Sequence, residues 1–261
     1  MSEQRLDAAV ASRGLARSRT HAARLIAAGS VLVDGAQVIK ASARVRDDQA
    51  IEVAAFDRYV SRAAHKLIAA LDTFGLDVSG REALDVGAST GGFTQVLLER
   101  GASSVTALDV GHGQLSPVVS ADPRVTVIEG FNARDLTGER LDAAARRPVR
   151  PAVVVADLSF ISLSMVLPAI SATAGNDADY VVLIKPQFEV GRTGIREGIV
   201  RDAALRVEAV SGVLWAAWDL GLRPAGLIAS PLLGGSGNHE YLAWLSARSG
   251  TTPEEALAGL A

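Results

Sequence analysis

The chain has 261 residues, 49% of them hydrophobic, with no cysteine and a formal net charge of −3. This length suits one large domain plus a small one, and the lack of cysteine excludes a disulfide framework, a thiolate nucleophile and a Cys-ligated zinc site. Its four histidines have no metal-binding spacing, no apolar run reaches the ~18 residues of a membrane span, and the charged amino terminus is not a secretory signal. We therefore expect a cytoplasmic protein with no protein-bound metal and no membrane partner.

Charge is distributed unevenly along the chain. Residues 1–66 carry 11 basic and 7 acidic side chains, a net charge of +4, which leaves −7 for the remainder. A basic amino-terminal module on an acidic body is typical of a protein that binds a polyanion at one end. Charged runs are also common on ordinary solvated helix faces, and the charge count alone does not separate these two interpretations.

The amino-terminal segment is predicted to form two short helices and three strands. Apolar spacing indicates helices from Arg5 to Ser12 and from Ser18 to Ala28, followed by a hairpin from Val31 to Ile39 that turns at Asp34-Gly35. A third strand is expected from Ala50 to Val53. This order, with its Ser18-Arg19 and Val33-Asp34-Gly35 motifs, resembles the RNA-binding module of ribosomal protein S4. The resemblance implies that basic side chains contact folded RNA; the candidates are Arg5, Arg13, Arg17, Arg19, Arg24 and Lys40, with Arg62 beyond the module.

Beyond a short connector at residues 55–60, the pattern changes to alternating strands and helices. A helix from Tyr59 to Phe74 carries Lys66 near its start. Further helices are predicted at 92–100, 113–120, 162–174 and 201–220, and strands at 82–86, 104–109, 124–128, 151–156, 179–184, 223–230 and 239–246. The alternation predicts an α/β fold with a doubly wound, mostly parallel sheet, whose last two strands form an antiparallel hairpin. The expected domains are residues 1–54 and 61–248, with a tail at 249–261 that forms a short helix.

A glycine-rich turn follows the first strand of this alternation, in the sequence Asp85-Val-Gly-Ala-Ser-Thr-Gly-Gly-Phe93. A strand, a glycine turn and a helix bring backbone N–H groups against a nucleotide-like ligand. The turn resembles motif I of S-adenosylmethionine (SAM)-dependent methyltransferases, which implies a Rossmann-like seven-stranded fold and SAM as cofactor. Asp109, at the end of the next strand, suits a ribose diol, and Asn132 or Asp135 is a candidate for the adenine edge. The predicted cofactor residues are Asp85, Gly87, Ser89, Thr90, Gly91, Gly92, Phe93, Asp109, Asn132 and Asp157.

Charged residues close two of the apolar strands, Asp157 after the fourth and Lys185 after the fifth. An unpaired buried ammonium is costly, so Lys185 is expected to meet Asp157. Glu240 and Lys66 complete a possible set of four catalytic residues. A structural salt-bridge network is the alternative explanation, and for Glu240 it stays open.

With these motifs, nearly the whole chain resembles the TlyA (haemolysin A) family of ribosomal RNA 2′-O-methyltransferases, which join an S4-like domain to an FtsJ-like domain. The segments Tyr59-Val-Ser-Arg62, Asp157-Leu-Ser-Phe-Ile161, Lys185-Pro-Gln-Phe-Glu189 and Gly237-Asn-His-Glu-Tyr241 also carry the resemblance. It places the family's Lys-Asp-Lys-Glu tetrad on Lys66, Asp157, Lys185 and Glu240. One departure is Ala63-Ala64, where the family pattern has two glycines.

The resemblance implies methyl transfer to the ribose 2′-hydroxyl of a cytidine, with ribosomal RNA or assembled ribosomal subunits as partner. Lys185 would take the hydroxyl proton, Asp157 would orient its amine, and Glu240 would hold Lys66 or the ribose. Two alternatives belong to other classes. One is a membrane-active haemolysin, and the other is an RNA-binding protein with an inactive methyltransferase fold.

Overall fold

A computed structural model of the protein describes residues 3–16, 18–27, 29–53, 59–191, 194–195 and 197–260. The chain divides into two compact units, one ending at Arg58 and the other beginning at Tyr59. Each unit has an apolar core of its own. Residues 55–58 of the expected connector lie outside the described residues, as does Ala28 at the expected end of the second helix.

The amino-terminal unit packs two helices against short strands. Its elements are β1 (Glu3–Arg5), α1 (Leu6–Ser12), α2 (Arg19–Ala27), β2 (Val31–Val33), β3 (Ala36–Gln37), β4 (Arg44–Arg46) and β5 (Ile51–Val53). Strand β2 pairs antiparallel with β3 and β5, whereas β1 pairs with β4. The hairpin turns where predicted, because Asp34 and Gly35 both have positive φ, of 51° and 78°. Both helices and the hairpin are as predicted, and the β1–β4 pair is an addition.

The carboxy-terminal unit alternates strands and helices. Its elements are α3 (Ala63–Phe74), β6 (Glu82–Val86), α4 (Gly92–Glu99), β7 (Ser104–Leu108), α5 (Pro117–Ser120), β8 (Val125–Ile128), α6 (Gly138–Ala145), β9 (Val153–Ala156), α7 (Leu163–Ala174), β10 (Asp179–Ile184), α8 (Pro186–Glu189), α9 (Ala203–Asp219), β11 (Arg223–Ala229), β12 (Tyr241–Ser246) and α10 (Pro253–Ala258). Among the described residues, the strands form a seven-stranded sheet in the order β11-β12-β10-β9-β6-β7-β8. Strand β12 runs antiparallel between β10 and β11, which confirms the predicted hairpin.

Predicted and observed bounds agree closely for the strands and less well for some helices. The helix expected from Tyr59 begins only at Ala63, and the helix expected from residue 113 begins at Pro117. Helix α6 and the single turn of α8 are additions. The expected tail helix is present as α10, which begins with a capping box between Thr252 and Glu255.

Two apolar layers cover the faces of this sheet. One includes residues from α7 and α9, and the other is formed largely by α3 and α4. Strands β9 and β10 are buried at every position, as expected for parallel strands covered on both faces. None of the described helices combines the length and apolar character that a membrane crossing requires. In the same part of the chain, no cluster of three or more His, Asp or Glu side chains is arranged to hold a metal ion.

Candidate active site

The predicted catalytic residues meet at the carboxyl edge of the parallel strands. In the antiparallel ladder Ile184 pairs with Tyr241, so the next positions, Lys185 and Glu240, face each other just beyond the ladder. Asp157 follows β9, whose last residue pairs with Val86 at the end of β6. This edge is where open α/β sheets bind ligands. The strand order therefore brings an acid and a lysine from neighbouring parallel strands together with an acid from the last strand.

Two ion pairs organise the four charged side chains. Lys66 Nζ donates to Glu240 Oε2 at 2.5 Å, and both side chains are buried. Lys185 Nζ lies 2.6 Å from Asp157 Oδ1 and donates to Ser159 Oγ at 2.9 Å. Asp157 Oδ1 accepts no hydrogen bond from the described residues, so its contact with Lys185 is an ion pair without hydrogen-bond alignment. The expected contact between Lys185 and Asp157 is present, and Glu240 holds Lys66.

The loop before β12 fixes the position of Glu240. The backbone N–H of Gly234 donates to the carbonyl of Asn238 at 2.8 Å, and that of Ser230 donates to the carbonyl of Glu240 at 2.8 Å. The buried Asn238 side chain accepts from the N–H of Val200 at 3.0 Å and donates to the carbonyl of Gly198 at 2.8 Å. A polar side chain this deep is stabilised by having both ends paired. Asn238 thus joins two loops beside the Lys66–Glu240 pair.

Three glycines make the turn after β6 too close-packed for side chains. A Cβ on Gly87 would lie 2.7 Å from the carbonyl oxygen of Asp157, and Gly87 has a φ of 87°. A Cβ on Gly91 would lie 2.8 Å from Leu115, and one on Gly92 would lie 2.9 Å from Ser61. At Gly87 the neighbour is backbone, which cannot move aside as a flexible side chain can, so glycine is required there. The turn is therefore packed against the loop of Asp157 on one side and the start of α3 on the other.

The Ala63-Ala64 departure lies at the start of α3, next to Gly92. Ala64 is buried, and its N–H donates to the carbonyl of Ser61 at 3.1 Å as α3 begins. A Cβ on Gly92 would lie 3.2 Å from the nitrogen of Ala64. The start of α3 thus packs against the glycine turn, and Lys66 lies on the first turns of this anchored helix.

Asp109 supports the glycine turn with both carboxylate oxygens. Oδ2 accepts from the N–H of Ser89 at 2.8 Å, and Oδ1 accepts from the N–H of Gly111 at 2.7 Å. Each oxygen retains a second lone pair, so these bonds leave the carboxylate able to accept from a ribose hydroxyl. A hollow next to Asp109 is lined by Ser89, Gln114, Leu115 and Glu129, among others.

Asp85 has an orphaned acceptor at the base of the turn. The side chain is fully buried, Oδ2 accepts from Thr94 Oγ1 at 2.6 Å, and Oδ1 has no partner among the described residues. Burial raises the pKa of Asp85 to about 7, with the nearby Asp157 contributing and the Thr94 hydroxyl opposing the shift. A buried, unpaired oxygen beside a glycine cradle fits a ligand that brings a donor.

The remaining predicted cofactor residues have mixed surroundings. Phe93 is buried in the apolar layer with Val96 and Leu97. Asn132 is exposed, and its side chain accepts from the N–H of Arg134 at 3.0 Å, which caps a short 3₁₀ turn. Thr90 is exposed in the glycine turn. Of these three, only Thr90 lies in the turn with its side chain open to solvent.

The predicted RNA-binding residues of the amino-terminal unit fall into three groups. Arg5 and Arg19 both pair with the buried Asp7, at 2.9 and 3.1 Å, and this pairing lowers the pKa of Asp7 to about 2. Arg13 donates to the carbonyls of Gln49, Arg46 and Asp47 at 2.7, 3.2 and 3.2 Å. Arg24 and Lys40 are exposed, with no ion pair among the described residues, and Arg17 lies outside them.

In the carboxy-terminal unit, Arg62 lies beside a groove next to Lys66. Arg62 is exposed at the start of α3, and Leu232 and Leu233 line the same groove. A cation next to apolar side chains suits a nucleotide, which offers a phosphate and a base.

Sequence reasoning assigned no role to three residues that lie close to the tetrad. Ser159 contacts Lys185, and Glu189 accepts from Ser162 Oγ at 2.6 Å. Phe160 is 91% exposed and has a φ of 65°, and its ring centroid lies 5.3 Å from that of Phe188. An exposed aromatic ring in a strained loop next to charged residues is suited to stacking on a base. The sequence signals for these residues were the two segments that carry the family resemblance. Asp157-Leu-Ser-Phe-Ile161 contains Ser159 and Phe160, and Lys185-Pro-Gln-Phe-Glu189 contains Glu189.

Comparison with known proteins is consistent with this geometry. The FtsJ-like methyltransferase family matches residues 59–247, and the S4 domain family matches residues 4–51. The fold and the glycine turn therefore define a methyltransferase unit. The chain is 51% identical to the 16S/23S rRNA (cytidine-2′-O)-methyltransferase TlyA of Mycobacterium tuberculosis, over 92% of this chain and 89% of that protein.

Two further relatives match most of the chain. Hemolysin A of Brachyspira hyodysenteriae is 42% identical, over 92% of this chain and 98% of its own length. A solved hemolysin structure from Streptococcus thermophilus superposes with a TM-score of 0.75 at 35% identity, and the match covers 99% of this chain and 96% of that one. The chain belongs to the TlyA family of FtsJ-like methyltransferases with an S4 domain.

Proposed function

We propose that this protein transfers a methyl group from SAM to the ribose 2′-hydroxyl of a cytidine in ribosomal RNA. The observation that carries the proposal is the presence of two ion pairs, Lys185 with Asp157 and Lys66 with Glu240, at the carboxyl edge of the sheet. Both lie in the same unit as the glycine turn. The named activity of the Mycobacterium tuberculosis relative supports the same reaction.

The residues of the turn would hold the cofactor. Gly87, Gly91 and Gly92 would keep the turn tightly packed against the neighbouring protein, Asp109 would accept from ribose hydroxyls, and the orphaned Asp85 Oδ1 would accept from a donor of the ligand. When bound, SAM supplies an electrophilic methyl group on a sulfonium.

The tetrad would perform the acid–base and positioning work on the RNA. Lys185, once it has released its own ion-pair proton to solvent, would accept the proton that the 2′-hydroxyl loses as its oxygen takes the methyl group, and SAM would leave as S-adenosylhomocysteine. Asp157 and Ser159 aim that amine, while the Lys66–Glu240 pair fixes the ribose. Holding oxygen and methyl in line accounts for a large share of the rate, up to about 7–11 kcal/mol in favourable systems.

RNA binding is assigned to the S4-like unit and to the groove beside Lys66. Arg24 and Lys40 offer exposed cations for phosphates, Arg62 does so next to the tetrad, and Phe160 stacks on a base. The expected partner is ribosomal RNA, free or in an assembled subunit, and the cytoplasm is the compartment where that substrate occurs.

The test is methylation of purified ribosomal subunits with labelled SAM, followed by mapping of the modified nucleotide. We expect label on a ribose 2′-oxygen of one or a few cytidines. Lys185→Ala should retain SAM binding, because Lys185 is not part of the glycine turn, and should lose methyl transfer in a single turnover. Unchanged single-turnover methylation by Lys185→Ala would contradict the role given to this lysine.

A further inference from the structure

The loop that follows β9 is held by the segment that follows β10 at several points. Lys185 Nζ contacts Asp157 at 2.6 Å and Ser159 at 2.9 Å. The ring of Phe188 packs against that of Phe160 at 5.3 Å between centroids. These contacts connect the first half of the loop, residues 157–160, to the strand that carries the lysine.

The second half of the loop is held by Glu189. Its Oε2 accepts from Ser162 Oγ at 2.6 Å, and its Oε1 accepts from the N–H of Leu163 at 2.8 Å. Leu163 is the first residue of α7, and Ser162, at the N-cap, makes no capping bond with its own side chain. The first N–H groups of a helix lack partners within it, and a negative charge there interacts favourably with the helix dipole. Glu189 therefore caps α7 from a different segment.

The surroundings of Glu189 indicate that this contact is its main role. Burial raises the pKa of Glu189, while the Ser162 hydroxyl and the amides of Leu163 and Ser164 counter the shift. Burying an acid costs free energy unless hydrogen-bond donors replace the water that it loses. For Glu189 these donors all belong to residues 162–164, where the loop ends and α7 begins. The acid forms no ion pair within the described part of the chain.

We propose that Glu189 is a positioning residue of the active site. By capping α7 it fixes the loop of residues 157–162 against the segment that carries Lys185, so that the Lys185–Asp157 pair keeps its geometry. The kinetic part of this inference rests on the proposed methyltransferase function. A displacement of about 1 Å in such a pair is enough to cost orders of magnitude in rate.

The experiment compares Glu189→Ala, Glu189→Gln and Glu208→Ala in the full-length protein. Glu208 is a matched control, since it lines the same cavity of about 500 Å³ as Glu189 but is exposed, and its side chain makes no hydrogen bond or ion pair in the described part of the chain. Glutamine keeps an acceptor for the Leu163 amide and a polar group for Ser162, whereas alanine removes both.

For Glu189→Ala we expect kcat to fall by about tenfold or more, with the KM for SAM within about twofold of wild type. Glu189→Gln should recover most of the rate, and Glu208→Ala should match wild type. A wild-type kcat for Glu189→Ala overturns the proposal, as does a Gln variant as slow as the Ala variant. Ser162→Ala, which removes one donor and leaves the acid, should give a smaller loss in the same direction and keeps the test valid if Glu189→Ala does not fold.

Amide hydrogen exchange gives a second result that does not depend on activity. In Glu189→Ala the amides of residues 158–164 should exchange about tenfold faster or more, whereas in Glu208→Ala they should not change. Unchanged exchange in Glu189→Ala overturns the positioning role. If wild type methylates no ribosomal RNA while exchange changes as expected, the proposed function fails and the loop-fixing role of Glu189 stands.

Discussion

Glu240 fits beside Gly234 because Gly234 has no side chain, and a Cβ at that position would overlap Glu240 Oε1. The other carboxylate oxygen, Oε2, holds Lys66 Nζ at 2.5 Å. The absence of a side chain at Gly234 therefore determines where the Lys66–Glu240 ion pair lies.

Gly234→Ala should displace Glu240 and separate it from Lys66, lowering kcat by about tenfold or more. The backbone of Gly234 is not in the left-handed region, so the added methyl acts through overlap with Glu240 and not through backbone strain. Steady-state kinetics and SAM binding measure the effect. Gly212→Ala is the control, because a Cβ there meets nothing within 4 Å on α9. Equal kcat for the two variants would refute the prediction.

The pKa of Asp85 predicts a pH-dependent stability in the absence of ligand. The folded protein keeps the carboxyl protonated up to about 7, whereas the unfolded chain loses that proton near the ordinary aspartate pKa of 3.8. The contribution of Asp85 to stability is therefore complete at low pH and is lost as the pH rises from about 4 to about 7.

Asp85→Asn should therefore melt higher than wild type at pH 8, and the difference should shrink as the pH falls toward 4. Each kcal/mol corresponds to about 2–4 °C in a protein of this size. Thermal unfolding across this pH range is the measurement, with Asp219→Asn, an exposed acid at the end of α9, as control. A difference that stays constant with pH would rule out titration of Asp85 as its cause.

Replacing two exposed cations of the amino-terminal unit, Arg24 and Lys40, should weaken RNA binding without affecting the fold. Arg24→Ala combined with Lys40→Ala should lower affinity for ribosomal RNA and reduce the slope of log K against log salt by about one unit for each phosphate that the protein no longer neutralises. Fluorescence anisotropy at several salt concentrations measures the slope. The control is Arg100→Ala. The guanidinium of Arg100 already pairs with Asp72 at 2.6 Å, so its removal should leave the salt slope unchanged. An unaltered slope in the double variant would exclude phosphate binding by these two cations.

Arg13→Ala should act on stability. Its guanidinium donates to three carbonyls of the turn between β4 and β5, so its removal should destabilise the amino-terminal unit by about 1–3 kcal/mol. Lysine should not replace it, because a single ammonium lacks the planar fork that reaches several acceptors. Hydrogen exchange of residues 46–49 is the measurement. If Arg13→Ala keeps the wild-type exchange rates at residues 46–49 and instead lowers the salt dependence of RNA binding, Arg13 is a phosphate ligand.

The sequence predicts most of the sheet and the residues at its edge, because both depend on local patterns. Buried strands are continuous apolar runs, and parallel strands end at one edge, so Asp157 and Lys185 are expected to meet. The cost of an unpaired buried ammonium leads to the same pair.

Three features could not be predicted from the sequence, namely the roles of Arg13 and Glu189 and the need for glycine at residue 234, because each depends on contacts between distant segments. A guanidinium that binds backbone carbonyls, such as that of Arg13, has the same local pattern as one exposed to solvent. The cap that Glu189 provides to α7 joins residues in different loops, and the need for glycine at residue 234 arises from Glu240 filling the adjacent space. Helix α6 has a single buried residue, Leu141, and β1 and β4 are strands of three residues, too short for a period to be recognised.

The position of β12 between β10 and β11 also has a consequence for the order in which the protein becomes functional. Domains fold as units, the amino-terminal one first, as the chain leaves the ribosome. The glycine turn, Asp157 and Lys185 are all synthesised before Glu240, which lies just before the last strand of the sheet. Lys66 is therefore synthesised 174 residues before its partner Glu240, and the carboxy-terminal unit cannot complete its tetrad until that residue has been made.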